Sequence, residues 1–189
     1  MQSAASGGGS SRWAILGAVV LLAAVAMFLG WQLGRSELPT TSKGNDRAGY
    51  PELLREFRLP SLDGRQLGPA DFAGQAVLVE FWATWCGPCH VQAKILASLY
   101  RDLEGREVQF LAVSVGEDEE TVRRFVEERP FAYPVLLDPR SGVLDAARIY
   151  ALPTLLILDR RGEVVFLESG ITPRRALESI LERALDDRS

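Results

Sequence analysis

The chain is poor in the residues that build covalent or metal-bound frameworks. Its 189 residues include two cysteines, one histidine and two methionines. Two thiols cannot supply the several staples of a disulfide-built domain. Cys86, Cys89 and His90 fall short of the four ligands a structural zinc needs, so no metal site is expected. Cys86-Gly87-Pro88-Cys89-His90 does match the haem-attachment pattern Cys-x-x-Cys-His. A haem usually takes a second axial ligand, however. There is no second histidine, and Met1 and Met27 lie in a tail and an apolar run. Haem attachment is therefore not expected. A basic stripe is missing as well. The net charge is −4, and cations alternate with acids, as in Glu127-Glu128-Arg129 and Arg160-Arg161-Gly162-Glu163. Nucleic acid is not an expected partner, because phosphate binding needs clustered positive charge.

One long hydrophobic run is present. Residues 13–33 carry no charge and one polar side chain, Gln32, with Trp13 and Trp31 near the ends and Arg12 and Arg35 outside them. A helix of that length crosses a hydrocarbon core of about 30 Å, and indole rings favour the two interfaces. The expected organisation is a flexible Gly/Ser-rich tail (1–12), a membrane anchor touching lipid (13–34), a linker (35–50) and one globular domain (51–189). Ala24-Val25-Ala26 has the small-x-small form of a signal cleavage site. A cleaved leader with a soluble secreted or periplasmic domain is the alternative. The cations flanking the run lean slightly against a translocated C-terminal domain, so charge alone does not orient the chain.

Within the domain, the Asp-Gly turn at Asp63-Gly64 predicts a short hairpin between 57–59 and 65–67. Apolar runs predict strands over 76–82, 108–115, 154–158 and 164–167, with an extended piece at 133–137. Val91, Ile95, Leu96, Leu99 and Leu103 recur at helical spacing, with Gly105 as a stop. Further helices are predicted over 119–129, ended by Pro130, over 144–150, and from Pro173 to about Asp186. A β-α-β unit followed by a terminal β-hairpin implies an α/β domain. Its central sheet is mixed, with helices on both faces.

The two cysteines sit two residues apart, where the apolar strand meets the helix. Cys-x-x-Cys at that junction is a thioredoxin-type redox signature. The segment Val77-Leu78-Val79-Glu80-Phe81-Trp82-Ala83-Thr84-Trp85-Cys86-Gly87-Pro88-Cys89 is similar to the thioredoxin active-site segment. Phe57-Arg58-Leu59-Pro60-Ser61-Leu62-Asp63-Gly64, together with an apolar span and linker, resembles membrane-anchored TlpA/ResA-like proteins over residues 55–185. The resemblance implies a thioredoxin fold and thiol–disulfide exchange outside the cytoplasm. It also implies client proteins with cysteine thiols or disulfides, such as apocytochrome or copper-site thiols, and a separate membrane electron donor. No cofactor is implied beyond a redox-active Cys86–Cys89 disulfide.

Each residue then has an expected part. Cys86 at a helix N-terminus is the nucleophile, because unpaired N–H groups and the helix dipole favour a thiolate there. Cys89, one turn on, is the resolving thiol. Gly87 and Pro88 suit the first helical turn, and Trp85 offers a client an apolar surface. Glu80, a carboxylate inside an apolar strand, matches the buried acid beneath the thioredoxin cysteines. Burial raises its pKa, and it can take the proton of Cys89. The other reading of Glu80 is a solvent-facing residue at a sheet edge. An acid found in some relatives three residues after the second cysteine is replaced here by Gln92. Leu152-Pro153-Thr154 resembles the cis-proline loop, which implies backbone groups that pair with a client peptide. Two rivals remain: a tethered thiol- or copper-binding module without turnover, and a thiol peroxidase.

Overall fold

The computed structural model describes residues 52–186, and residue 27 besides. The expected tail, anchor and linker (1–12, 13–34 and 35–50) otherwise lie outside the described residues. Among the described residues, no helix is long and apolar enough to cross a membrane. The chain divides into two units at Gly44–Asn45, and the described domain lies within the second, Asn45–Ser189. All the elements below belong to the second unit.

Chain order is α1 (Leu53–Glu56), β1 (Leu59–Pro60), β2 (Gln66–Leu67), a 3-10 turn (Pro69–Phe72), β3 (Ala76–Trp82), α2 (Gly87–Asp102) and β4 (Val108–Val115). It continues with α3 (Glu119–Glu128), β5 (Val135–Asp138), α4 (Gly142–Ala147), β6 (Thr154–Leu158), β7 (Val164–Ser169) and α5 (Arg174–Asp186). The main sheet has the order β5-β4-β3-β6-β7. β3 is central, parallel to β4 and antiparallel to β6. β5 extends the parallel side, and β7 closes the antiparallel side. The fold is the thioredoxin-like α/β arrangement with a mixed sheet.

Every residue of β3 is buried, as a strand covered on both faces requires. Its side chains alternate between two cores. Ala76, Leu78 and Trp82 join Leu96 and Leu99 of α2, Val122 of α3 and Leu177 and Leu181 of α5. Val77, Val79 and Phe81 join Leu54 of α1 and Val143 and Leu144 of α4. The β1–β2 hairpin pairs Leu59 with Leu67 and bridges to the main sheet through Ser61 and Leu136. Gly68 follows it so closely packed that a Cβ would lie 1.7 Å from the Phe57 carbonyl oxygen. Only glycine fits that approach.

Several local details differ from the sequence pattern, among them the bounds of β5 (Val135–Asp138), the end of α4 at Ala147 and the end of β7 at Ser169. α1 is a single helical turn of four residues, too short to register as a period. α4 begins at Gly142 rather than 144, because Asp138 at the end of β5 accepts the N–H groups of Gly142 and Val143 at 2.8 and 2.9 Å. Val91 lies on the outer side of α2 and is exposed, while Gln92 is buried. The inward stripe of that helix is Cys89, Gln92, Leu96 and Leu99.

Candidate redox site

Cys86 and Cys89 form a disulfide with Cα atoms 5.3 Å apart. The pair sits where β3 passes through Ala83, Thr84 and Trp85 into α2. Cys86 is the N-cap of α2, and its sulfur accepts the N–H of Cys89 at 3.2 Å. Sulfur therefore stands where an oxygen acceptor stands in an ordinary cap, facing the unpaired donors of the first turn. Gly87 and Pro88 form that first turn, both exposed, and proline there costs no hydrogen bond. Both cysteines are almost covered, Cys86 at 4% exposure and Cys89 at 1%. Trp85 beside them is 73% exposed, a large apolar surface at the rim of the pair.

Glu80 is fully buried. Its register partners are Ala112 on β4 and Leu155 on β6. By alternation it stands on the face with Leu78 and Trp82, the same face that α2 covers. The solvent-facing alternative for this residue does not hold, because β3 is the central strand. Among the described residues, neither carboxylate oxygen has a hydrogen-bond partner. Burial pushes its pKa up to about 8, since a charge in an apolar strand loses its hydration. Nearby, the Tyr133 hydroxyl is also buried without a partner. Its pKa is raised by burial first and by the Glu80 charge second. Trp82 Nε1 and Gln92 Nε2 complete a set of buried polar atoms without partners. Such atoms are rare in native interiors and mark places where function outweighs packing. Gln92 is not idle, since its Oε1 accepts the Thr172 N–H at 2.7 Å and ties α2 to the loop before α5.

A cavity of about 530 Å³ opens beside Cys89. Trp82, Phe125, Phe131 and Tyr133 give it aromatic walls, and Lys94 and Arg129 contribute charge. The Trp82 ring lies 5.3 Å from Phe125 and 4.8 Å from Phe131. His90 stacks on Phe125 at 5.2 Å and donates through Nε2 to the Thr84 carbonyl at 2.8 Å. Its ring is thus part of the site's scaffold. Among the described residues, no group of three His, Cys, Asp or Glu side chains could hold a metal ion.

The Leu152–Pro153 peptide bond is cis. Leu152 packs against both core clusters, one of which contains both cysteines, and among the described residues neither its N–H nor its C=O has a backbone partner. The Pro153 carbonyl accepts the Gly170 N–H at 2.7 Å. Thr154 is turned inward, with its hydroxyl bonded to the Ala151 carbonyl and to Ser169, each at 2.7 Å. In this loop, Leu152 therefore offers free backbone groups next to the cysteine pair's core.

A profile of the AhpC/TSA family matches residues 52–167, most of the described domain. The chain belongs to the AhpC/TSA family. It is a thiol–disulfide oxidoreductase, as are its similar curated relatives. The ResA thiol-disulfide oxidoreductase of Geobacillus kaustophilus is 33% identical over 127 residues, 67% of this chain and 73% of that one. The ResA protein of Halalkalibacterium halodurans is 30% identical over 162 residues, 86% of this chain and 90% of that one. Among solved structures, a putative thiol:disulfide interchange protein DsbE from Chlorobium tepidum superposes with a TM-score of 0.64. It is 27% identical, and the match covers 68% of this chain and 92% of that one.

Sequence reasoning missed one part of this oxidoreductase site. Glu117, just past β4, reaches back to the loop that carries Cys86. It accepts the Thr84 N–H at 2.8 Å, the Thr84 hydroxyl, and the Ser114 hydroxyl at 3.1 Å. In the sequence it is the first of four acids, Glu117 to Glu120, and nothing separates it from a solvated surface run. Only the positive φ of Gly116, 71°, turns the chain sharply enough to fold Glu117 inward, and Gly116 was the available signal.

Proposed function

We propose that this oxidoreductase reduces disulfides of client proteins outside the cytoplasm, with Cys86 as nucleophile and Cys89 as resolving thiol. The observation that carries the reading is the pair's position. Cys86 sulfur caps the active helix, and a buried, unpaired carboxylate, Glu80, stands on the sheet face that helix covers.

The reaction follows from these positions. In the reduced protein, the Cys86 thiolate attacks one sulfur of a client disulfide. A mixed disulfide forms, and the client's other sulfur leaves as a thiolate. Cys89 then gives its proton to the Glu80 carboxylate, directly or through a water, and attacks Cys86. The client's second sulfur departs, and the Cys86–Cys89 disulfide remains. Two electrons have passed from the pair to the client. With a pKa of about 8, Glu80 is ionised in roughly a tenth of molecules at pH 7. It is therefore an acceptor of useful basicity rather than a permanent anion. The exposed face of Trp85 and the free N–H and C=O of Leu152 supply an apolar contact and a strand-like backbone pairing for the client. Residues 13–34 would anchor the domain to the membrane, with a membrane donor returning electrons to the pair. No cofactor beyond the two thiols enters this scheme.

The test uses the full chain, pre-reduced and mixed with a disulfide-bonded protein. Turnover is expected from the wild type, and none from Cys86→Ser. Cys89→Ser is expected to accumulate a mixed disulfide on Cys86, because attack survives and release does not. Stoichiometric capture by the wild type, without release, would indicate a binding module instead.

A further inference from the structure

We propose that Glu117 is a positioning residue that sets how strongly reducing the Cys86–Cys89 pair is. The inference rests on the exchange function proposed for this pair and concerns the poise of that same site.

Thr84 lies two residues before Cys86 and is gripped from both sides. Glu117 holds its N–H and its hydroxyl, and His90 Nε2 holds its carbonyl. The Cys86 N–H in turn donates to the Ala83 carbonyl at 3.1 Å. The short loop that presents the Cys86 sulfur to α2 is thereby fixed by a carboxylate from the β4–α3 turn and a ring from α2 itself. Glu117 is buried. Its bonding partners are three neutral donors, and no cation pairs with it among the described residues. Lys94, His90, Arg129 and Tyr133 share the cavity wall with Cys89, and Glu80 stands on the same sheet face. None of these is bonded to Glu117.

A buried carboxylate without a counter-cation projects its field onto neighbouring groups with little solvent screening. Next to the Cys86 loop, that field opposes the thiolate. The balanced equilibrium is protein disulfide plus two glutathione thiols giving protein dithiol plus glutathione disulfide. A destabilised thiolate holds this equilibrium back from the dithiol, so the dithiol, once formed, is the stronger electron donor. The helix N-terminus pulls the other way by stabilising the thiolate. Glu117 is the counterweight.

The two functions of the clamp, geometry and charge, can be separated. In Glu117→Gln the amide oxygen can accept the Thr84 N–H and the amide nitrogen can donate to the reversed Thr84 hydroxyl. The bonds persist while the charge goes. Thr84→Val keeps the charge and removes one donor that compensates it. The full-length chain is equilibrated in glutathione redox buffers, acid-quenched and alkylated, and the dithiol fraction is read by mass. Glu117→Gln is expected to shift the equilibrium constant toward dithiol by about three- to tenfold, and the Cys86 thiolate should form at lower pH. Thr84→Val is expected to shift it the opposite way, and Thr84→Ser to restore the wild-type value. Two variants moving in the same direction, or both staying within twofold of wild type, would overturn the proposal. If Glu117→Gln does not fold, the direction of the Thr84→Val shift decides alone. A wild-type pair that fails to equilibrate reversibly would instead refute the exchange function, so the two failures remain distinct.

Discussion

The two faces of β3 share one backbone and one burial state, yet they treat polar groups differently. On the face packed by α1 and α4, Val77, Val79 and Phe81 join an apolar cluster with Leu54, Val143 and Leu144. The buried acid beside that layer, Asp138, is fully used as a cap for α4. On the face packed by α2, α3 and α5, Glu80 and Trp82 interrupt the apolar series. Every buried side-chain atom left without a partner among the described residues belongs to Glu80, Trp82, Gln92 or Tyr133, and Leu96, Ile157 and their neighbours surround them. The first face is built for stability. The second leaves polar groups unsatisfied on the side that carries the cysteines, and the raised pKa of Glu80 there fits the proton-acceptor role proposed for it. Alternation along one strand lets a seven-residue segment serve both ends.

Damage to the apolar face should have the largest effect on stability and none on the proton chemistry. Phe81 is fully buried and its ring lies 6.2 Å from Phe57. Phe81→Ala is expected to cost about 3–5 kcal/mol. The pH dependence of client release should keep its midpoint, measured by stopped-flow trapping of the mixed disulfide. A displaced midpoint would mean that the two faces are not separable.

Glu80→Gln acts on the other face and in the other direction. The carboxyl titrates at about 8 in the folded chain, against an ordinary value of 4.5. In the unfolded chain it ionises near the lower value, so the unfolded state loses its proton first. Stability is therefore fully present below about pH 4.5 and is lost as pH rises toward 8. Glu80→Gln removes that loss. The variant should be about 3 kcal/mol more stable at pH 7 and indistinguishable near pH 4.5, measured by urea unfolding across that range. Client release should also slow, and its rise between pH 6 and 8 should flatten. A variant with the wild-type pH profile would remove Glu80 from the proton path.

Tyr133 should give the smallest change and gauge how unsatisfied the second face is. Its hydroxyl has no partner to lose, while its ring packs edge-on against Phe110 and Phe131, both at 5.6 Å. Tyr133→Phe keeps the ring contacts and should change stability by less than about 1 kcal/mol. A larger loss, read from the same unfolding curves, would show that the hydroxyl is bonded in solution and that this face is better satisfied than its protein contacts indicate.

Much of the architecture was legible because it rests on local chemistry. β3, β4 and β6 coincide with the apolar runs at 76–82, 108–115 and 154–158. A covered strand needs an unbroken run of apolar residues, and turns need Asp-Gly or Gly at their corners. α4 was displaced because its start depends on a carboxylate from the preceding strand, four residues away from Gly142. Val91 lies outward, against expectation, and Gln92 inward because apolar spacing alone leaves the rotation of α2 open by a residue. The loop before α5 fixes the choice by bonding Gln92. The cysteine pair and Glu80 stood out in one dimension, each being anomalous in its own neighbourhood. Glu117, Thr84 and Ser114 did not, since each is ordinary where it stands.

From the order of residues alone came the thiol pair at a strand-to-helix junction, an acid set inside an apolar strand and the mixed sheet that carries them. These depend on composition and period, which are properties of contiguous chain. Folding had to supply the company those groups keep: which side of α2 faces inward, which carbonyl His90 reaches, and which of four consecutive acids turns toward Thr84. Such contacts join residues far apart in the chain, as in Gln92 with Thr172, 80 positions away. A hydrogen bond depends on distance and angle in space, and sequence separation carries neither.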